Sequence, residues 1–198
     1  MRRRVLLVTA FAALPLSLLA ANRLRPAILA SATAATGSGE RVGEVARRSA
    51  TLPDLGAMPE LSGGTRWINS APLTRAALQG KVAMIEVWTY GCYNCLNALP
   101  HIKETAARYK AEGLVTIGVH TPEFDREKVP ANVERRVKEL GVEFPVVMDN
   151  DFAIWRAFNN RFWPSVYIID KKGRIRFHHD GEGKYAEIDA AVRELLAE

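Results

Sequence analysis

The sequence predicts an α/β domain in which a central mixed β-sheet carries helices on both faces. Three observations lead to it. A near-continuous apolar run, Val82-Ala-Met-Ile-Glu-Val-Trp88, has the composition of a strand buried on both sides. Strand-like and helix-like patterns then alternate downstream, as parallel strands joined by helices require. Near the end, two apolar segments flank Asp170-Lys-Lys-Gly173, a hairpin signal that brings an antiparallel strand into the sheet.

The elements follow in order. After the 82–88 strand, a helix runs from about Cys92 to Lys110 and stops before Gly113, a usual terminator. Leu114-Val-Thr-Ile-Gly-Val119 is a second buried strand. Pro130 to Leu140 spaces Val133, Val137 and Leu140 along one helical face and ends at Gly141. Phe144 to Met148 reads as a short strand, and Val166-Tyr-Ile-Ile169 pairs with Ile175-Arg-Phe177 across the hairpin. Tyr185 to Leu196 closes the chain as a helix. The domain is thus placed at residues 66–198. Residues 33–65 are rich in Ala, Gly, Ser, Thr and charge, lack sustained apolar periodicity, and read as a linker.

Residues 1–32 have a different character. Met1-Arg-Arg-Arg precedes an apolar stretch from Val5 to Ala21, the layout of a secretory signal or an uncleaved membrane anchor. Ala30-Ser31-Ala32 and Ala20-Ala21 are candidate cleavage sites. The same segment explains the charge. The chain carries +5, but Arg2, Arg3, Arg4, Arg23 and Arg25 precede the first acid, Glu40. Removing those five from 27 Lys and Arg leaves 22, against 22 Asp and Glu, so the body is formally neutral. No nucleic-acid partner is implied, and an exported, periplasmic or extracytoplasmic location is.

The two cysteines carry the chemistry. Cys92-Tyr93-Asn94-Cys95 lies at a strand-to-helix junction, where a C-x-x-C pair is a redox signature. Two intervening residues in a first helical turn bring the sulfurs within disulfide reach, and the free N–H groups at the helix start favour a thiolate at the first. The helix dipole supplies only about 0.3–1 kcal/mol, and neither Tyr93 nor Asn94 adds a cation. A moderate nucleophile is therefore expected. Three other roles stand beside this one. A structural disulfide across so short a loop would constrain the unfolded chain little. Zinc lacks a second C-x-x-C or His pair. Copper binding with His101, or with His178 and His179, is a non-enzymatic alternative, that of a copper-binding assembly factor. The working expectation is no metal and no cofactor beyond a redox-active Cys92–Cys95 disulfide.

At Trp88-Thr-Tyr-Gly-Cys-Tyr-Asn-Cys95 the sequence resembles the thioredoxin superfamily, and more narrowly the TlpA-like and DipZ-type periplasmic domains. The likeness runs from about Trp67 to the end and includes His120-Thr-Pro-Glu-Phe124, Asp149-Asn-Asp-Phe-Ala-Ile-Trp155 and Asn160-Arg-Phe-Trp-Pro-Ser165. It implies a thioredoxin-like fold and a thiol–disulfide oxidoreductase. Cys92 would attack a substrate disulfide and Cys95 would resolve the mixed disulfide. Pro164 would be a cis-proline beside the pair, preceded by Trp163. Glu86, alone among apolar neighbours, falls where thioredoxins carry a buried acid that relays a proton to or from Cys95, whereas on an edge strand it would face solvent. Trp88, Tyr93, Asn94, Trp163 and Pro164 are the expected substrate-binding residues, with Trp88 packing beneath the site. The implied partners are disulfide-bearing proteins and a CcdA- or DsbD-like membrane electron donor, in a role like that of cytochrome c biogenesis. Tyr93-Asn94 replaces the family's usual Pro or His, so no redox potential carries over. A thiol peroxidase is the rival enzyme: Thr89-Tyr-Gly-Cys92 is a T-x-x-C element, but Ile85 stands where a peroxiredoxin has proline, and the matching arginine has no assignable position, although Arg161 is available.

Overall fold

The computed structural model describes residues 52–198; the signal or anchor reading of residues 1–32 lies outside them. Six strands form one mixed sheet: β1 (Arg66–Ile68), β2 (Ala83–Trp88), β3 (Val115–His120), β4 (Val146–Met148), β5 (Ser165–Ile169) and β6 (Ile175–Asp180). Their order is β1-β4-β3-β2-β5-β6. β2, β3 and β4 are parallel neighbours, while β5 pairs antiparallel to β2, β6 to β5 and β1 to β4. The apolar run of β2 is explained by its place between β3 and β5, with all six of its residues buried.

Four helices, α1 (Tyr93–Tyr109), α2 (Pro130–Glu139), α3 (Ala153–Ala157) and α4 (Tyr185–Leu196), cover the two faces. Strand alternation sorts the β2 side chains. Met84 and Trp88 face one side, where Ile102 and Leu99 of α1, Val133 and Val137 of α2, and Ile188 and Val192 of α4 complete the core. Ala83, Ile85 and Val87 face the other, against Ile154 of α3 and Phe158. α1 passes into a 3-10 turn that Gly113 ends with φ of 101°, a left-handed conformation that suits glycine.

The linker reading of residues 33–65 needs correction over its second half. Residues 52–65 are packed on the domain. Ala57 bridges Arg174, Leu55 N–H donates to Ile175 O at 2.8 Å, and Met58 and Leu61 are buried beside Ile154 and Phe158. Two well-placed apolar anchors and a few backbone bonds order a segment that has no periodicity of its own.

Candidate active site

β2 delivers the cysteine pair to one end of the sheet. Beyond Trp88 the chain turns through Thr89, Tyr90 and Gly91 into α1, with Cys92 as its N-cap in extended conformation (φ −85°, ψ 121°). Cys92 Sγ accepts the Cys95 N–H at 3.3 Å. One of the amides left unpaired at a helix start is thus aimed at the first sulfur. Both residues are free thiols; Cys92 is half-buried and Cys95 fully buried. Burial, the hydrogen bond with Cys92, and the charges of Cys92 and Glu86 together push the Cys95 thiol well above its ordinary range. Access therefore differs sharply between two sulfurs one helical turn apart, and the inner one resists ionisation. Such an arrangement lets the outer sulfur meet an incoming disulfide and keeps the inner one in reserve.

Glu86 is fully buried in the middle of β2, so the solvent-facing alternative does not hold. By strand alternation it shares its face with Met84 and Trp88, beneath α1. Neither of its carboxylate oxygens has a partner among the described residues, and burial raises its pKa to about 8. It can hold or release a proton near neutral pH close to Cys95, whose titration it influences.

The expected substrate contacts separate. Tyr93 is 76% exposed and Asn94 is exposed, both on the open first turn of α1. Trp163 is half-buried in the cluster that contains Cys92 and Cys95; its Nε1–H donates to Thr121 O at 3.1 Å. The Trp163–Pro164 bond is cis, and Pro164, itself buried, accepts the Gly181 N–H at 2.7 Å through its carbonyl. Trp88 must be corrected as a substrate contact. It has no exposure, its ring meets His120 edge-on at 5.5 Å, and it covers Gly118 so closely that a Cβ there would lie 2.8 Å from Nε1. Trp88 is the floor of the site.

A second polar layer, under the Thr89–Cys92 turn, was not legible in the sequence. Thr89 and Glu127 have no exposure, and the Thr89 hydroxyl donates to Glu127 Oε2 at 2.6 Å. Thr89 Oγ1 also lies 3.2 Å from Nε2 of buried His120, which stacks on Tyr90. Since Thr89 spends its proton on Glu127, His120 Nε2–H is the donor in that contact. Burial lowers the His120 pKa to about 4, so the ring is neutral at pH 7. Glu127 sits among Asp125, Arg126 and Lys128, a charge run that reads as a solvated loop. This layer also bears on the peroxidase reading. A T-x-x-C threonine with no exposure, already bonded on both sides, offers no open cradle for peroxide, and Arg161 is exposed. Among the described residues no group of three or more His, Cys, Asp or Glu is placed to hold a metal ion.

Comparison with known proteins gives the same fold family. Residues 57–178 match the AhpC/TSA family. The chain is 42% identical over 151 residues to protein DipZ of Mycobacterium bovis, covering 75% of this chain but only 22% of that protein. It is 31% identical over 142 residues to the thiol-disulfide oxidoreductase YkuV of Bacillus subtilis, covering 71% of this chain and 95% of that protein. A crystal structure of a thioredoxin-like superfamily protein superposes with a TM-score of 0.67 at 29% identity, over 72% of this chain and 97% of the other. The chain belongs to the AhpC/TSA family and carries a TlpA-like, thioredoxin-like domain.

Proposed function

We propose that this chain is an extracytoplasmic reductant that opens disulfides in exported proteins, with Cys92 as nucleophile and Cys95 as resolving thiol. The observation that carries it is the half-buried Cys92 sulfur, backed by the Cys95 amide, beside a second thiol withheld from solvent. In the first step the Cys92 thiolate attacks one substrate sulfur. The substrate S–S bond breaks, a mixed disulfide forms, and one substrate thiolate leaves and takes a proton. The ionised form of Glu86 then takes the Cys95 proton, and Cys95 attacks Cys92 Sγ. The second substrate thiolate leaves, and the chain is left with a Cys92–Cys95 disulfide, two electrons having passed to the substrate. A CcdA- or DsbD-like membrane thiol carrier returns two electrons and two protons.

Tyr93, Asn94, Trp163 and Pro164 form the docking rim. Trp163 enters none of the backbone hydrogen bonds of the described residues, which leaves its N–H and C=O for an extended peptide. The basic, apolar start of the sequence supports export, as a cleaved signal or an anchor. No helix among the described residues is long and apolar enough to cross a membrane.

Cys92→Ser should abolish reduction of a model protein disulfide. Cys95→Ser should accumulate a mixed disulfide at Cys92 that mass spectrometry detects. Full activity in the Cys92→Ser variant would overturn the mechanism.

A further inference from the structure

We propose that Glu127 is a positioning residue for Cys92, and that residue 91 is glycine in order to admit its carboxylate beneath the nucleophile's turn. Glu127 comes from the loop between β3 and α2, far in sequence from Cys92, and is wholly buried. Its Oε2 accepts three hydrogen bonds: from Thr89 Oγ1 at 2.6 Å, Glu123 N–H at 2.8 Å and Phe124 N–H at 3.3 Å. These fasten the loop to the segment that leads into Cys92. Oε1 has no hydrogen-bond partner and lies against Gly91: a Cβ on residue 91 would stand 1.8 Å from it. Gly91 has no positive φ, so conformation does not demand glycine there; space does. Buried carboxylates persist only where donors satisfy them, and one oxygen spent on three donors fixes the other against the residue that precedes the nucleophile. The consequence is a set height and direction for the Cys92 N-cap, with a carboxylate on its inner side.

The charged and titratable groups around this turn are Cys95 from α1, Glu86 from β2, Tyr90 from the turn itself, His120 from β3, Arg126 from the Glu127 loop, 4.0 Å from Oε1, and Arg135 and Arg136 from α2, the latter over the Tyr90 ring.

The inference deepens the reading of Cys92 as nucleophile, so its test uses a signal that does not depend on disulfide exchange. Iodoacetamide alkylation of Cys92 is followed from pH 5 to 10 in a Cys95→Ser background, beside circular dichroism and thermal melts. Glu127→Gln keeps an oxygen acceptor but removes the charge. It should stay folded and shift the alkylation midpoint to lower pH, because a nearby negative charge opposes thiolate formation. Gly91→Ala should slow alkylation at least tenfold while Glu127 is present. Gly91→Ala with Glu127→Ala should react no more slowly than Glu127→Ala alone, since the clash is gone. An unchanged midpoint in Glu127→Gln, or independent effects of the Gly91 and Glu127 substitutions, would overturn the proposal. Absence of exchange in the chain that keeps both cysteines, with alkylation behaving as described, would instead count against the oxidoreductase mechanism alone.

Discussion

Glu86 and His120 are buried ionisable groups whose pKa values move in directions set by burial, and they give stability an opposed pH dependence. Glu86 has a folded value of about 8 against 4.5 when free. Between those values the fold keeps a proton that the unfolded chain releases, so stability falls as pH rises from about 4.5 to 8. His120 has a folded value of about 4 against 6.5. Here the unfolded chain binds the proton first, so stability falls as pH drops from about 6.5 to 4. The two slopes oppose one another between pH 4.5 and 6.5, and above 6.5 Glu86 acts without His120. Each pH unit in that upper window is worth at most about 1.4 kcal/mol. Urea midpoints at pH 6.5, 7.2 and 8 should decline in the native sequence and stay level in Glu86→Gln; an equal decline in the variant would contradict the assignment. Glu86 was legible because one acid inside an apolar strand has few other readings. Glu127 was not, because its burial depends on a loop closing over Gly91, which no local pattern records.

At the scale of elements, the parts long enough to show a period were readable. α4 spans the expected Tyr185–Leu196, and the expected strand at 82–88 appears as Ala83–Trp88. β1 and α3 were missed, at three and five residues, since neither completes enough of a repeat to be distinguished from loop. α3 owes its start to a local cap: Asp149 carboxylate oxygens accept Ile154 N–H at 3.0 Å and Trp155 N–H at 2.8 Å. The core beneath these elements turns on β2. Ile85 has no exposure and packs within the cluster that Met58, Ile117 and Phe158 complete. Ile85→Ala should cost about 2–5 kcal/mol in denaturant unfolding, from lost burial and the cavity left behind. A loss below about 1 kcal/mol would mean that the opposite face of β2 carries the fold.

For the whole molecule, the structure joins a buried sheet, a helix start and two buried carboxylates at one redox pair. Residues 52–65 belong to that body. Leu61 is buried in the same cluster as Ile85, and Arg174 pairs with Asp54. The sequence showed them as linker because two anchors without a period resemble loop residues. The surroundings of the pair bear on redox direction. Tyr93 and Asn94 bring no cation, Cys95 is withheld from ionising, and Glu86 and Glu127 flank the turn. Strong oxidants of this fold class rely on a strongly stabilised thiolate, and Tyr93 and Asn94 supply no cation for one. The most direct measurement is the reduction potential of the Cys92–Cys95 couple, by equilibration against dithiothreitol or glutathione buffers with mass-spectrometric readout. A reversible intramolecular disulfide with a potential near that of thioredoxin, about −270 mV, is the predicted result. A value near about −120 mV, or failure to form that disulfide at all, would contradict the reading of this chain as a dithiol reductant.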